Sequence, residues 1–192
     1  MMGRVPLQVD ELGFATNAVL VHSPNQDSRP AGESISLLVV HGISLPPGSF
    51  GGGAIQSFFC NRLDPAGHPY FREISDLRVS AHFLIARDGA LTQFVSCNRR
   101  AWHAGVSQWR GRGRCNDFSI GVELEGLDEL GYDPRQYDCL ARLTLGLRDR
   151  YPVTDIAGHS DIAPGRKSDP GPAFDWARFN ELLSRGRDRL HF

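Results

Sequence analysis

The sequence predicts an α/β (α+β) protein, a single domain over residues 1–192 in which helices flank a central mixed β-sheet. Three observations predict it. The stretch ISLLVV at 35–40 is a run of β-branched and leucine residues interrupted only by Ser36, the pattern of a strand buried on both faces. The stretches at 79–95 and 117–126 alternate apolar and polar residues with the period of strands. The segment at 133–151 has a helical period behind a capping signal.

In chain order, the buried strand at 35–40 places His41 at its C-terminal end. The glycine-rich stretch PPGSFGGG at 46–53 reads as a mobile surface loop; it lacks the GxxxxGK[ST] pattern of a phosphate-binding loop. In VSAHFLIARDGALTQFV, two alternating runs flank Asp88-Gly89, a hairpin signal. In DFSIGVELEG, Ile120, Val122 and Leu124 share one face, which leaves Gly121, Glu123 and Glu125 on the other. Asp133, Pro134 and Gln136 then supply the cap, first turn and capping box of a helix whose stripe is Tyr137, Leu140, Thr144 and Leu147, ended by Pro152. A last helix starts near Asp175, with Trp176, Phe179, Leu182 and Leu183 facing inward.

Composition narrows the function classes. Hydrophobic residues are 41% and charged residues 22% of the chain, which is ordinary for a folded globular protein. A formal net charge of -1 gives no general attraction to nucleic acid or anionic membranes. No window approaches a membrane span, and the N-terminal segment, with Asp10 and Glu11, has no export pattern. Cys60, Cys97, Cys115 and Cys139 are scattered without CxxC spacing and read as reduced thiols. The expectation is a cytoplasmic protein with no obligate protein partner.

The chemistry concentrates in GHSDIAPGRKSDPGPAFDW at 158–176, where prolines and glycines prevent helix or strand and hold His159, Lys167 and Asp169 in irregular backbone. A catalytic zinc commonly takes three nitrogen or oxygen ligands from the protein. His41, His159 and Asp169 could supply them, although the spacing alone matches no compact zinc signature. A rival cluster of Cys97, His103 and Cys115 has no recognised spacing either. His82 reads as structural or as a support behind the site residues, and His22, His68 and His191 as background. The basic tail around Arg185, Arg187 and Arg189 reads as a soluble helix end.

Taken together and in order, VVHGISLPPGSFGGG, HPYF, LRVSAHFLIARDGALTQFV, RRAWHAGVS, RCNDFSIGVELEG and GHSDIAPGRKSDPGPAFDWARF closely resemble the AmpD family of bacterial cytoplasmic 1,6-anhydro-N-acetylmuramyl-L-alanine amidases. The motif-bearing core runs from about 21 to 183. The resemblance implies a fold shared with phage-type amidases and peptidoglycan recognition proteins. It implies a Zn2+ cofactor held by His41, His159 and Asp169, with Glu123 as proton acceptor and Lys167 as transition-state stabiliser. Glu125 competes with Glu123, and the family pattern selects the first glutamate of ELEG.

The implied substrate is an anhydro-muropeptide, a sugar bearing a short peptide with several carboxylates. Guanidinium groups and an aromatic platform suit such a ligand. Arg78, Trp102, His103, Arg114 and Arg166 fall within the matching motifs and are the substrate-binding candidates. Two other readings are an amidase of intact peptidoglycan and a peptidoglycan-binding module without activity. The first is expected to carry an export signal or wall-binding module, and the second to lack zinc ligands. One departure stands out: relatives often read VVHNIS, where this chain has Gly42 after His41.

Overall fold

A computed structural model describes residues 7–187. Its strands are β1 (Val19–Leu20), β2 (Gln26–Ser28), β3 (Leu37–Ile43), β4 (Phe83–Ile85), β5 (Leu91–Gln93), β6 (Arg99–Ala101), β7 (Gln108–Trp109), β8 (Arg112–Gly113), β9 (Ser119–Glu125) and β10 (Asp155–Gly158). Its helices are α1 (Ala54–Phe59), α2 (Pro69–Ile74), α3 (Pro134–Arg150), α4 (His159–Ile162) and α5 (Trp176–Arg187), with a 3-10 turn at Cys115–Asp117. Six strands form one sheet in the order β1-β5-β4-β9-β3-β10. The β4–β5 pair is antiparallel and every other pair is parallel, so the sheet is mixed.

The two faces of the sheet differ. Leu38 and Val40 of β3, Phe83 and Ile85 of β4, and Ile120, Val122 and Leu124 of β9 pack with Leu140, Leu143, Leu147, Phe179 and Leu183 of α3 and α5 in one continuous core. The opposite face carries two separate apolar clusters. One gathers Ile55, Phe58, Phe59 and Ile74 of α1 and α2 against Leu84 and Phe94. The other gathers Leu37 and Val39 with Phe118, Ala157 and Ile162. His41 lies between Val39 of the second cluster and Ile43, which packs on the first, so the polar residues of this face occupy a gap between two patches of core.

Local signals explain most of these elements. Asp133 Oδ1 accepts the Arg135 N–H at 2.9 Å, while Gln136 Oε1 accepts the Asp133 N–H at 2.9 Å, completing the capping box of α3. The Gln136 amide also donates to the carbonyls of Ile85 and Glu125, tying the helix start to two strand ends. At the hairpin, the Gly89 N–H donates to the Ala86 carbonyl at 2.8 Å with Gly89 at φ 84°, a conformation that favours glycine. The predicted hairpin arms are longer than the paired strands. Beyond them, the N–H groups of Ser80 and His82 donate to the Trp102 and Gly121 carbonyls instead.

The expectation of irregular backbone at His159 is corrected by the four-residue helix α4, which starts there ahead of the first proline of the loop. Helices α1 and α2 are two further additions to the predicted set. Each has six residues, too few to show a helical period. Gly53, at φ 77°, leads the glycine-rich loop into α1, and His68 accepts the Tyr70 N–H ahead of Pro69 at the start of α2. The four cysteines are free thiols, three of them buried. Among the described residues, no helix is long and apolar enough to cross a membrane. The sequence readings of the first six residues, of Arg189 and of His191 lie outside the described residues, as does the side chain of Arg187.

Candidate metal centre and catalytic cleft

Three chain segments meet at one point. His41 comes from β3, His159 begins α4 directly after β10, and Asp169 lies in the proline-bounded loop that follows. His41 Nδ1 is 2.9 Å from His159 Nδ1 and 3.2 Å from Asp169 Oδ2, and His159 Nδ1 is 3.1 Å from the same oxygen. A tetrahedral ion with bonds of about 2.0–2.1 Å holds its ligands about 3.3 Å apart, close to the edges of this triangle. Among the described residues, these three form the one cluster of three or more His, Cys, Asp or Glu groups placed to hold an ion. The alternative of Cys97, His103 and Cys115 does not assemble.

The surrounding hydrogen bonds assign the protons. The Ser119 hydroxyl donates to the Cys115 carbonyl at 2.6 Å, which can only accept, so Ser119 Oγ accepts from His103 Nε2–H at 3.1 Å. His103 Nδ1 is then an acceptor, and His41 Nε2–H donates to it at 2.9 Å. That leaves a lone pair on His41 Nδ1. His159 Nε2–H donates to the Ala104 carbonyl at 3.3 Å, which leaves a lone pair on the Nδ1 of the neutral ring. With Asp169 Oδ2, three acceptors face one another without a proton between them. Such an arrangement repels itself unless a cation sits at its centre, and two imidazoles with one carboxylate are a donor set suited to zinc.

Burial supports these protonation states. It pulls His41 down to about 4 and His103 well below the usual histidine value, so both rings are neutral near pH 7. The backbone makes room for this packing at Gly121, where a Cβ would lie 2.4 Å from the His103 ring.

The two glutamates of β9 have different surroundings. Glu125 Oε1 accepts the Gly51 N–H at 2.5 Å and Oε2 the Arg87 N–H at 3.2 Å, so its carboxylate braces the glycine loop and the hairpin. Glu123 is buried, its Oε2 has no partner, and burial together with nearby Asp169 pushes its pKa well above the usual range, against a smaller downward pull from Lys167. Glu123, His159, Lys167 and Asp169 all line one cleft of about 310 Å³ whose other wall is Phe58, Phe59, Tyr70 and Ile74 from α1 and α2.

This geometry has counterparts. A family model described as N-acetylmuramoyl-L-alanine amidase matches residues 31–172. The chain belongs to that family. It is 58% identical over 177 residues to the 1,6-anhydro-N-acetylmuramyl-L-alanine amidase AmpD of Escherichia coli strain K12, covering 91% of this chain and 97% of that protein. A crystal structure of an AmpD selenomethionine derivative superposes with a TM-score of 0.90 at 55% identity, covering 92% of this chain and 99% of that one. Peptidoglycan recognition protein SD of Drosophila shares the fold, with a TM-score of 0.52 at 17% identity over 82% of this chain and 90% of that one.

In this amidase the substrate-binding candidates fall in different places. Arg78 is exposed between Leu77 and Val79, which line the cleft, and its guanidinium donates to the Ser75 and Leu77 carbonyls. Trp102 is half-buried with an unpartnered Nε1 and stands beside the cleft, its backbone paired with that of Ser80. Arg114 is exposed and pairs with Asp117 at 3.0 Å. The Arg166 guanidinium donates to the Ala104 and Val106 carbonyls, which clips the loop whose Ala104 carbonyl also receives His159. His103 borders the cleft, but both its ring nitrogens are engaged by His41 and Ser119. Sequence reasoning missed Ser119 and Tyr132. The alternation that placed Gly121 and Glu123 on one strand face, carried one step back, could have found Ser119.

Proposed function

We propose that this amidase is a cytoplasmic zinc enzyme of cell-wall recycling that hydrolyses the amide between 1,6-anhydro-N-acetylmuramic acid and L-alanine in soluble muropeptides. The whole chain acts as one domain in this reading. The observation that carries the chemistry is the set of three converging lone pairs on His41, His159 and Asp169 on the same sheet face as Glu123, whose buried Oε2 has no partner. The substrate follows from the name of the relative that matches over nearly its whole length.

His41, His159 and Asp169 hold the zinc. Bound there, zinc supplies Lewis acidity that acidifies water and polarises a carbonyl. Glu123, lacking a partner and shifted upward, takes a proton from the attacking water and passes it to the departing amine of L-alanine. Lys167 places a positive charge beside the oxygen on which negative charge develops. Arg78 and Trp102 beside the cleft, with Arg114, Arg166 and His103, receive the peptide carboxylates and the sugar.

The test is direct. The purified protein, loaded with zinc, is incubated with anhydro-muropeptide and, separately, with intact sacculi, and the products are analysed. Free peptide with an N-terminal L-alanine should appear much faster from the soluble substrate. A preference for sacculi would make it an amidase of intact wall, and binding without cleavage a recognition module. Metal analysis should find about one zinc, and Asp169→Ala should lose metal and activity together.

A further inference from the structure

We propose that Tyr132 is a positioning residue for Asp169, and that Gly42 is glycine because its bare Cα admits the Tyr132 hydroxyl. Tyr132 lies in the turn between β9 and α3 and is 6% exposed. Its hydroxyl donates to the carbonyl of Pro170, the residue after Asp169, at 2.9 Å. A Cβ on Gly42, the residue after His41, would meet that hydroxyl oxygen at 2.3 Å, while the next nearest atom, Pro170 Cα, is at 3.5 Å. The phenol oxygen is therefore wedged between β3 and the ligand loop. On the other side of Asp169, its own carbonyl accepts the N–H of Ser160, the residue after His159. The ring is held from behind by Phe174 of the same loop, 5.6 Å between centroids, and by the close approach of Gly126.

The backbone at Asp169 is thus hydrogen-bonded to the residue after His159 and, through the Tyr132 hydroxyl on Pro170, packed against the residue after His41. A metal site whose third ligand is in place before the ion arrives binds at full affinity. One whose third ligand is in place only a fraction of the time binds more weakly by that fraction. Tyr132 keeps that fraction high. The inference rests on the proposed metal role of Asp169.

The experiment is a double-mutant cycle on Tyr132→Phe, Gly42→Ala and the pair. Zinc affinity is measured by chelator competition, the visible spectrum with Co2+ in place of zinc, and the metal-free protein by thermal unfolding. Tyr132→Phe should bind zinc about tenfold more weakly, or about 1.4 kcal/mol, with a broadened Co2+ spectrum. Gly42→Ala should weaken zinc binding alone, yet change it less than twofold in the Tyr132→Phe background, because the clashing oxygen is gone. Tyr132→Phe that lowers the unfolding midpoint without weakening zinc binding has only a structural hydroxyl, and the proposal fails. Equal Gly42→Ala losses in both backgrounds also overturn it. A wild-type protein that binds neither ion removes the metal reading beneath the proposal, an outcome distinct from a wild type and a Tyr132→Phe variant that bind alike.

Discussion

Glu123 stands directly opposite His41 in the register of the parallel strands β9 and β3. Opposed residues on neighbouring strands present their side chains to the same face, about 4.8 Å apart at the backbone. The sheet, rather than a loop, therefore sets the spacing between proposed base and proposed ligand. The third parallel strand, β10, runs beside β3 and ends at Gly158, delivering His159 to the same edge. The site lies where ligands commonly bind in sheets of parallel strands, at their carboxyl ends. Only Asp169 and Lys167 come from irregular backbone.

A base and a bracing carboxylate should fail differently. Glu123→Gln cannot accept a proton at neutral pH, so kcat should fall about 100- to 10,000-fold with zinc content unchanged. Glu125→Gln loses charge on a group that accepts from Gly51 and Arg87, and should cost about 1 kcal/mol of stability with less than about a tenfold change in kcat. Steady-state kinetics with metal analysis decide the matter. Zinc loss or full turnover in Glu123→Gln would remove it from the role of base.

The proton relay behind His41 makes a second prediction. Groups that orient a metal-binding histidine typically contribute about 10- to 100-fold to affinity, so His103→Ala should weaken zinc binding by that order, and Ser119→Ala by less. Chelator competition measures both. If His103 instead acts on substrate, as its place in AWHAGV suggests, His103→Ala raises KM and leaves zinc affinity intact.

Elements with local signals were legible in the sequence. The apolar run of β3, the alternation of β9 and the capping box of α3 are each written within a few neighbouring residues. His41 and His159 are 118 residues apart, and no rule of spacing joins them. Resemblance to a family did so. What stayed hidden depends on partners distant in the chain. Arg166 reads as a ligand for a carboxylate, but its guanidinium is used by carbonyls some 60 residues away. Gly42 reads as a missing side chain, and only the fold brings the Tyr132 hydroxyl into its place.

Arg29 shows the same effect in a residue that no sequence motif singled out. Its guanidinium donates to the carbonyls of Cys97, Asn116, Asp117 and Ser119, and burial lowers its pKa to about 10. Arg29→Met would leave four carbonyls near the start of β9 without their donor. The expected loss is about 3–5 kcal/mol, at the upper end for one substitution. Denaturant unfolding of the metal-free protein measures it, and a loss under about 1 kcal/mol would mean that water replaces the guanidinium.

The acid response follows from the buried histidines. Burial holds His41 at about 4 and His82 at about 3, with His103 also well below its ordinary value near 6.5. The unfolded chain therefore binds more protons than the folded one as pH falls below about 6.5. Stability of the metal-free protein should be full above that pH and should decline down to about pH 4, each histidine adding up to about 1.4 kcal/mol per pH unit. His82→Gln should make the decline shallower by one proton. Glu123 acts with the opposite sign. Its raised pKa means that the folded state holds a proton the unfolded chain releases near its ordinary 4.5, so stability falls as pH rises above that value. Metal-free Glu123→Gln should thus be more stable than wild type at pH 7, and the gain should vanish below about pH 4. Thermal unfolding across pH 4–8 reads both effects. A flat wild-type profile, or a Glu123→Gln gain that persists in acid, would show that these groups are not held in the stated protonation states.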